Sequence, residues 1–225
     1  MIPIRDDNPP QSVPIVTRTI IGLNVVAFLY QFLLGPAVVP FIQGWGLIPE
    51  RLSSAMLGAT PLPDAALTLL TSMFLHGSWI HLLGNMWYLW IFGDNVEDEL
   101  GSLRFLGFYL AAGVVSALMH VLFNPGSSIP TVGASGAIAG VLGAYAYAFP
   151  KARVVTLVPI IFFFQIVALP ALLVLGLWFV FQFFSAALSA GGGVAWWAHI
   201  GGFVFGLAAM ALLRRRRPSA AWVEQ

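Results

Sequence analysis

The chain has 225 residues, of which 59% are hydrophobic and 8% are charged, with a formal net charge of +1. Because soluble domains are typically about half apolar and a quarter charged, this composition excludes an ordinary soluble protein and indicates one integral membrane domain with short tails. The absence of cysteine excludes disulfides and thiolate metal sites. The polar, proline-rich start MIPIRDDNPPQSVP differs from a secretory signal peptide, so no cleaved targeting sequence is expected.

Six membrane-spanning helices are predicted from apolar runs near the length of roughly 17 to 25 residues that crosses about 30 Å of hydrocarbon. They lie at about 18–34, 80–92 (extendable toward residue 100), 103–123, 132–149, 170–188 and 195–213. The stretch 154–169, interrupted by Pro159 and followed by Pro170, is expected to be a partly buried connection. The predicted fold class is therefore an all-α integral membrane protein, a six-transmembrane-helix bundle at 18–213 between tails at 1–17 and 214–225.

The distribution of basic residues predicts the orientation of this bundle, because Lys and Arg in short loops are retained on the cytoplasmic side. With six spans and both termini on that side, every Lys and Arg except Arg51 falls inside. The long connection at about 35–79 then lies outside. Its length and apolar content predict a structured loop that rests on the membrane surface.

Polar side chains inside the predicted spans are informative, because each costs free energy in lipid and normally faces the bundle interior or a water-filled cavity. His81 and Asn85 lie four residues apart, on one face of the second span. Spans two, four and six all begin at the outer surface, so these two residues share a layer with Ser135 and His199, about one or two turns deep. His76 precedes the second span and is expected in interfacial water.

A serine becomes a nucleophile when a base within hydrogen-bond reach removes its proton, and His199 is the natural base for Ser135. Spans four and six must approach closely for this contact, and both carry small residues at fourfold spacing, which allows tight helix packing in lipid. These residues are Gly136 with Gly140 and Gly202 with Gly206. The side chains of His81 and Asn85 and the backbone N–H of Ser135 are candidate donors to a developing oxyanion.

Each of these residues also has a purely structural interpretation. A serine in a membrane helix commonly bonds a carbonyl one turn back, and small residues at fourfold spacing commonly form a packing face. A membrane His or Asn can simply pin two helices together. A functional site is favoured by the convergence of one serine, one asparagine and two histidines at a single depth on three alternating spans.

Three short motifs make the chain resemble the rhomboid family of intramembrane serine proteases. They are HxxxN at 81–85, GxSG at 133–136 and AHxxG at 198–202, with further family-like sequence in FLHGSWIHLLGNMWYLWIFG and VEDELG. Their order, spacing and placement on spans two, four and six are specific, and the resemblance covers about residues 68–206. Glu97 matches the acidic residue of the family at the inner end of span two.

The resemblance implies a Ser135 and His199 dyad that cleaves the transmembrane segments of other proteins, with His81, Asn85 and the Ser135 amide as oxyanion hole. It also implies that the outer loop embeds sideways in the bilayer, and that span five and the cap SAGGGVAWW form a substrate gate. A dyad agrees with the residues themselves, because no Asp or Glu occurs between residues 151 and 214 to orient His199.

The sequence departs from some members of the family at two places. The aromatic residue that packs against the catalytic histidine, one turn after the serine, is replaced by Ala139. The Trp-Arg pair of the outer loop is missing, although Trp45 and Arg51 are present separately. No residue is therefore identified from the sequence that would hold His199 in place.

Other kinds of site fit less well. Three histidines without HExxH or a carboxylate at their depth are a poor zinc site, and the soluble nucleophile elbow GxSxG would need glycine where Ala137 stands. Phosphate loops and nucleic-acid patches are absent from the sequence. The expected partners are transmembrane protein substrates and the lipid bilayer, with no cofactor, no metal and no nucleic acid.

Two competing functions remain open. One is a catalytically inactive rhomboid-like protein that binds membrane helices, although a pure binder has no need of an activated serine. The other is a small transporter, although span six continues after His199 as the apolar IGGFVFGLAAMALL. By analogy, the six-span form with short tails predicts a bacterial cytoplasmic membrane with both termini cytoplasmic, with an organellar membrane as the alternative.

Overall fold

The computed structural model describes residues 1–59, 61–160, 163–188 and 195–214, most of them helical. In chain order the α-helices of this part of the chain are α1 (Ile15–Leu33), α2 (Val38–Trp45), α3 (Pro49–Met56), α4 (Leu62–Thr71), α5 (Trp79–Leu100), α6 (Ser102–Phe123), α7 (Ser135–Ala148), α8 (Ala171–Leu188) and α9 (Trp196–Leu213). The strands are β1 (Ile2–Asp6), β2 (Arg153–Ile160) and β3 (Phe163–Pro170). Short 3-10 turns at Gly35–Ala37 and Ser72–Phe74 precede α2 and follow α4.

Each of the six predicted spans coincides with a helix, but fewer helices have the length and hydropathy of a membrane span. Among the described residues, α1, α6 and α9 are long and apolar enough to cross a membrane. The segment formed by α4 and its 3-10 turn meets α5 at an angle of 80°, and this bent pair adds a fourth candidate. The helix α7 and a stretch of α8 are apolar but shorter. The chain is a mostly helical membrane protein, with three or four candidate spans in the part that the structure describes.

The short helix α7 lies at the centre of the bundle. Packed against α5, α6 and α9, it buries twelve of its fourteen residues. At 1.5 Å per residue this helix rises about 21 Å, less than the roughly 30 Å of a hydrocarbon layer. If the carboxyl end of α7 reaches one membrane surface, Ser135 at its amino end therefore lies several ångströms below the other.

Glycine makes the close approach of α7 and α9 possible. A Cβ atom added to Gly202 would overlap the carbonyl oxygen of Gly136, and one added to Gly206 would overlap the carbonyl oxygen of Gly140. The two backbones thus touch where the sequence carries small residues at fourfold spacing, as helix pairs do in lipid when no side chain intervenes.

The prediction of an all-α fold is wrong at residues 154–169. In place of a partly buried connection, β2 and β3 form an antiparallel hairpin that pairs from Arg153↔Pro170 to Ile160↔Phe163. Strand β1 pairs with β2, which gives the strand order β1-β2-β3. The β-branched run VVT favours an extended backbone, and burial alternates along it, with Val154 and Thr156 buried and their neighbours more exposed. An apolar run of this length does not by itself distinguish a strand from a short buried helix.

Polar contacts tie the sheet to the helical bundle. The carboxylate oxygen Oδ2 of Asp6 accepts hydrogen bonds from Tyr145 Oη at 2.6 Å and from Asn95 Nδ2 at 3.0 Å. The indole of Trp87 donates to the carbonyl oxygen of Pro3 at 2.7 Å. These bonds hold β1 against α5 and α7, at the end of the bundle opposite the start of α7.

Glu97 joins the end of α5 to the start of α1. Its side chain is 1% exposed, and its two oxygens accept the backbone N–H groups of Val16 at 2.9 Å and Thr17 at 2.7 Å. The hydroxyl of Ser102 donates a third bond at 2.6 Å. Because the first N–H groups of a helix have no intrahelical partner, the carboxylate caps α1 and complements the helix dipole.

The long connection between α1 and α5 is structured, as expected, and contains α2, α3 and α4. Reciprocal backbone bonds of 3.0 and 2.7 Å pair Leu47 with Thr131, just before α7. The hydroxyl of Thr71 donates to the carbonyl oxygen of Trp45 at 2.6 Å. The connection is thereby attached to the segment that leads into α7, and its position on the membrane surface stays a prediction.

Candidate active site

Ser135 is the first residue of α7 and is half-buried. Two residues earlier, Gly133 has a φ of +129°, which L side chains rarely adopt, and its N–H donates to the carbonyl oxygen of Ser72 at 2.9 Å. This turn brings Ser135 to the amino end of α7. The N–H groups of that first turn have no intrahelical partner and lie at the positive end of the helix dipole, which suits them to bind developing negative charge.

His199 lies in the first turn of α9, and its Nε2 atom is 2.8 Å from Ser135 Oγ. Its other ring nitrogen, Nδ1, is 2.7 Å from the amide oxygen Oε1 of Gln182 on α8. The rings of Trp178 and Trp196 have their centroids 6.0 and 6.1 Å from that of the imidazole. These contacts surround His199 although Ala139 supplies no aromatic ring.

His81 and Asn85 lie one turn apart on α5, and both approach the turn before Ser135. A Cβ atom on Gly133 would be 2.8 Å from His81 Nε2 and 3.6 Å from Asn85 Nδ2. A long bond of 3.5 Å brings the N–H of Gly77 to Nδ1 of His81. A neutral ring that accepts at Nδ1 carries its hydrogen on Nε2, so His81 presents a donor toward Gly133.

The prediction that His76 lies in interfacial water is wrong, because the residue is buried and only 1% exposed. Asn85 Nδ2 is 2.9 Å from its Nε2 atom. The amide of Gln31 on α1 accepts from the backbone N–H of His76 at 3.0 Å and donates to its carbonyl oxygen at 3.2 Å. Burial, and to a lesser degree the neighbouring His81, lowers the pKa of His76 to about 4. His76 is therefore neutral near pH 7 and can accept one amide hydrogen of Asn85, which leaves the second free.

Ser116 on α6 is a site residue that the sequence analysis did not identify. Its hydroxyl donates to the carbonyl oxygen of Ala198 at 2.8 Å, directly before His199. A Cβ atom on Gly136 would overlap this hydroxyl. The bond fixes the start of α9 against α6, and glycine at position 136 leaves room for it.

A cavity of about 730 Å³ is lined by most of these residues but not by His76 or Gln31, and this volume is in the range typical of ligand-binding pockets, about 300–1,000 Å³. Its lining includes the four polar residues predicted from the sequence, Ser135, His199, His81 and Asn85. Gln182 also lines it and was missed, although a polar residue within the apolar run LWFVFQFFS was a signal that could have identified it. Most of the predicted gate cap, at 189–194, and the tail at 215–225 lie outside the described residues.

Comparison with known proteins identifies similar chains. The family model described as the Rhomboid domain matches residues 63–216. The chain is 37% identical over 147 residues to presenilin-associated rhomboid-like protein A, mitochondrial, of Danio rerio, an alignment that covers 63% of this chain and 36% of that protein. It is 27% identical over 198 residues to rhomboid protein 1, mitochondrial, of Saccharomyces cerevisiae, covering 84% and 50%. It is 47% identical over 79 residues to rhomboid protease GluP of Bacillus subtilis, covering 35% and 15%.

The comparisons contradict the predicted membrane location and identify the family. The chain spans only about a third to a half of the length of the first two relatives. Both are named as mitochondrial, as is the bovine relative, which contradicts the predicted bacterial cytoplasmic membrane and points to a mitochondrial membrane. Because the Rhomboid model matches well over half of the chain, and does so across the segment that contains Ser135 and His199, the chain belongs to the rhomboid family.

Proposed function

We propose that this protein is an intramembrane serine endopeptidase that cleaves the transmembrane segments of other membrane proteins. The observation that carries this proposal is the 2.8 Å separation of Ser135 Oγ and His199 Nε2 inside the cavity. Membership of the rhomboid family supports it, as does a relative that is named a protease.

The proposed reaction is acyl transfer through a dyad. His199 takes the proton of the Ser135 hydroxyl through Nε2, and Oγ attacks the scissile carbonyl carbon to form a tetrahedral intermediate. The proton then passes from His199 to the leaving amine, which breaks the peptide bond and leaves an acyl-enzyme. Water activated by His199 hydrolyses this ester and regenerates Ser135.

The developing oxyanion is bound by donors on two sides of the turn before α7. The backbone N–H of Ser135 lies at the positive end of α7, and the Nε2–H of His81 and the free amide hydrogen of Asn85 approach Gly133 from α5. Fixed donors of this kind stabilise the transition state more than the substrate, because charge appears on the carbonyl oxygen only during the attack.

The proposed membrane arrangement has six spans, with α7 enclosed by the others. Large apolar side chains are exposed along the outer helices, among them Leu83, Leu118 and Val204, as expected for surfaces that contact lipid. A substrate helix is expected to approach beside α8 and to unwind locally. The unwinding is required because carbonyls in a membrane helix are already hydrogen-bonded within it.

The test is cleavage of a reporter transmembrane helix by the purified protein in liposomes. Wild type is compared with Ser135→Ala and His199→Ala, and with Ser128→Ala as a matched control, since Ser128 is exposed in the loop between α6 and α7. Circular dichroism establishes that all four proteins are folded. We expect cleavage by wild type and by Ser128→Ala, and loss of at least roughly a thousandfold in rate for the other two.

Two outcomes would reject the proposal. If Ser135→Ala cleaves as fast as wild type, the serine is not the nucleophile. If wild type binds a panel of reporter helices in the same liposomes but cuts none of them, the competing function, binding of membrane helices without proteolysis, is the better explanation.

A further inference from the structure

Gln182 is a buried amide in an otherwise apolar stretch of α8. Its side chain is 5% exposed, whereas Phe181 and Phe183 beside it are 62% and 49% exposed. A buried polar group in a membrane bundle costs free energy unless it is hydrogen-bonded. With the described residues, Gln182 forms a 2.7 Å contact of Oε1 with Nδ1 of His199. Gln182 is therefore buried at a place where its side chain bonds the histidine that faces Ser135.

The chemistry of the two atoms determines the state of the imidazole. An amide oxygen only accepts hydrogen bonds, so the contact with Gln182 requires a hydrogen on Nδ1 of His199. A neutral ring with its hydrogen on Nδ1 has a free lone pair on Nε2, the atom that lies 2.8 Å from Ser135 Oγ. The opposite tautomer would place a hydrogen on Nε2 and would be unable to accept the serine proton.

We propose that Gln182 is the positioning residue of the catalytic histidine, and that it holds His199 in the Nδ1–H tautomer with Nε2 directed at Ser135. This inference rests on the proposed function, in which His199 is the base. Gln182 takes the role that a carboxylate has in a catalytic triad, with a neutral group in place of a charge.

Gln182 lies on α8, whereas the histidine that it contacts lies on α9. Trp178, one turn earlier on the same helix, also faces the imidazole, at 6.0 Å between ring centroids. Two of the groups that surround His199 thus belong to α8, while the histidine itself belongs to α9. A displacement of α8 relative to α9 would lengthen the bond to Nδ1 and release the ring from its orientation.

The first test separates positioning from substrate binding. Gln182→Met keeps a similar unbranched shape but removes the acceptor, and Gln182→Glu retains a carboxyl oxygen at the same place. Leu23→Val is the control, because Leu23 lies on α1, outside the proposed substrate entry beside α8, and is 52% exposed. Each variant is assayed for kcat and KM on the reporter helix, and thermal unfolding in detergent establishes that it is folded.

We expect Gln182→Met to lower kcat by roughly 10- to 100-fold, as loss of an orienting hydrogen bond does, with KM changed by less than about twofold. Gln182→Glu should recover most of the lost rate, and Leu23→Val should resemble wild type. A kcat of the Met variant equal to that of wild type would overturn the proposal. So would a rise in KM at unchanged kcat, since that pattern indicates a role in substrate binding.

The second test does not depend on cleavage. Nitrogen-15 NMR of histidine-labelled protein reports which ring nitrogen carries hydrogen, and the His199 signals are assigned by their disappearance in His199→Gln. The Nδ1–H tautomer is expected in wild type and in Gln182→Glu, and a mixture of tautomers in Gln182→Met. An Nε2–H tautomer in wild type would overturn the inference even if the Met variant failed to fold.

The two tests together distinguish failure of this inference from failure of the proposed function. If wild type cleaves no helix but its Nδ1–H tautomer is lost in Gln182→Met, the protease proposal fails while Gln182 still holds His199. If wild type cleaves and neither the tautomer nor kcat responds to Gln182→Met, the protease proposal stands and the role of Gln182 is rejected.

Discussion

At the scale of single residues, polar groups in the cavity and buried beside it form short hydrogen-bonded chains that cross between helices. One chain runs from Gln31 on α1 through His76 to Asn85 on α5. Another runs from Gln182 on α8 through His199 on α9 to Ser135 on α7. In each chain an amide group sets the position of a histidine, and that histidine contacts the residue nearest the proposed reaction. A polar group buried in lipid surroundings is stable when it has such a partner.

Asn85→Ala is expected to lower kcat by roughly 10²- to 10³-fold with little change in KM. The physical reason is that its free amide hydrogen binds the oxyanion, which exists in the transition state and not in the bound substrate. Steady-state cleavage of the reporter helix measures both constants. Asn124→Ala is the control, because Asn124 lines the same cavity and bonds the backbone of His120. An increase in KM with unchanged kcat for Asn85→Ala would contradict the assignment.

The depressed pKa of His76 predicts an acid-sensitive fold. In the unfolded chain this histidine titrates near 6.5, and in the folded protein near 4, so the folded state favours the neutral ring. Its contribution to stability is therefore fully present above about pH 6.5 and is lost as the pH falls from 6.5 toward 4. Thermal midpoints in detergent between pH 4 and 7 should fall more steeply for wild type than for His76→Gln. Parallel curves for the two proteins would contradict this prediction.

At the scale of secondary-structure elements, contact between backbones organises the bundle. Along the α7 and α9 interface, glycine at 136, 140, 202 and 206 lets one helix rest on the carbonyl oxygens of the other. This contact brings the amino ends of α7 and α9 together, and with them Ser135 and His199. The distance between nucleophile and base is therefore set by helix packing along several turns, in addition to the bonds at the site itself.

Gly206→Ala is expected to destabilise the folded protein by about 1–3 kcal/mol, because its Cβ atom would overlap the carbonyl oxygen and carbon of Gly140 and push the helices apart. Gly107→Ala in α6 is the matched control, since no atom lies within 4 Å of a Cβ built there. That change should be neutral or stabilising by up to about 1 kcal/mol, from improved helix propensity. Unfolding titrations in mixed detergent micelles measure both. Equal stability of the two variants would show that the interface tolerates separation.

The hairpin of β2 and β3 shows why some elements were predicted and this one was not. Hydropathy and length locate α1, α6 and α9 well, since a long apolar run in a membrane protein has few alternatives to a helix. A run such as RVVTLVPI is too short to decide between helix and strand by pattern alone. Its strand conformation is stabilised by pairing with β3 in the same hairpin and with β1, which lies roughly 150 residues earlier in the chain.

At the scale of the whole molecule, the two ends of the bundle have different roles. The cavity is lined by residues at and near the starts of α5, α7 and α9. The sheet, the Glu97 cap and the contacts of Asp6 lie at the other end. The contacts that hold the ends of the helices together are thus separated from the proposed reaction by the length of α7.

Cysteine labelling tests the proposed six-span arrangement, and the absence of native cysteine removes background. Ser128→Cys precedes α7 and Lys151→Cys follows it, so a membrane-impermeant maleimide should label them from opposite sides of sealed vesicles. Val26→Cys is the control in α1, where an apolar, 65% exposed position is expected to face lipid and to remain unlabelled. Labelling of positions 128 and 151 from the same side would show that α7 does not cross the membrane.

The sequence by itself determined the membrane class, the positions of the long helices, the rhomboid resemblance and the four polar residues around the cavity, because hydropathy, helical spacing and short motifs are local properties of the chain. Tertiary structure alone decided that Gln182 meets His199, that His76 is buried against Asn85, and that β1 pairs with β2. Each of these depends on how an apolar helix is rotated about its axis or on which distant segment pairs with it. Many rotations of a helix bury similar apolar area. Close packing and the need of buried polar groups for hydrogen-bond partners therefore select one rotation.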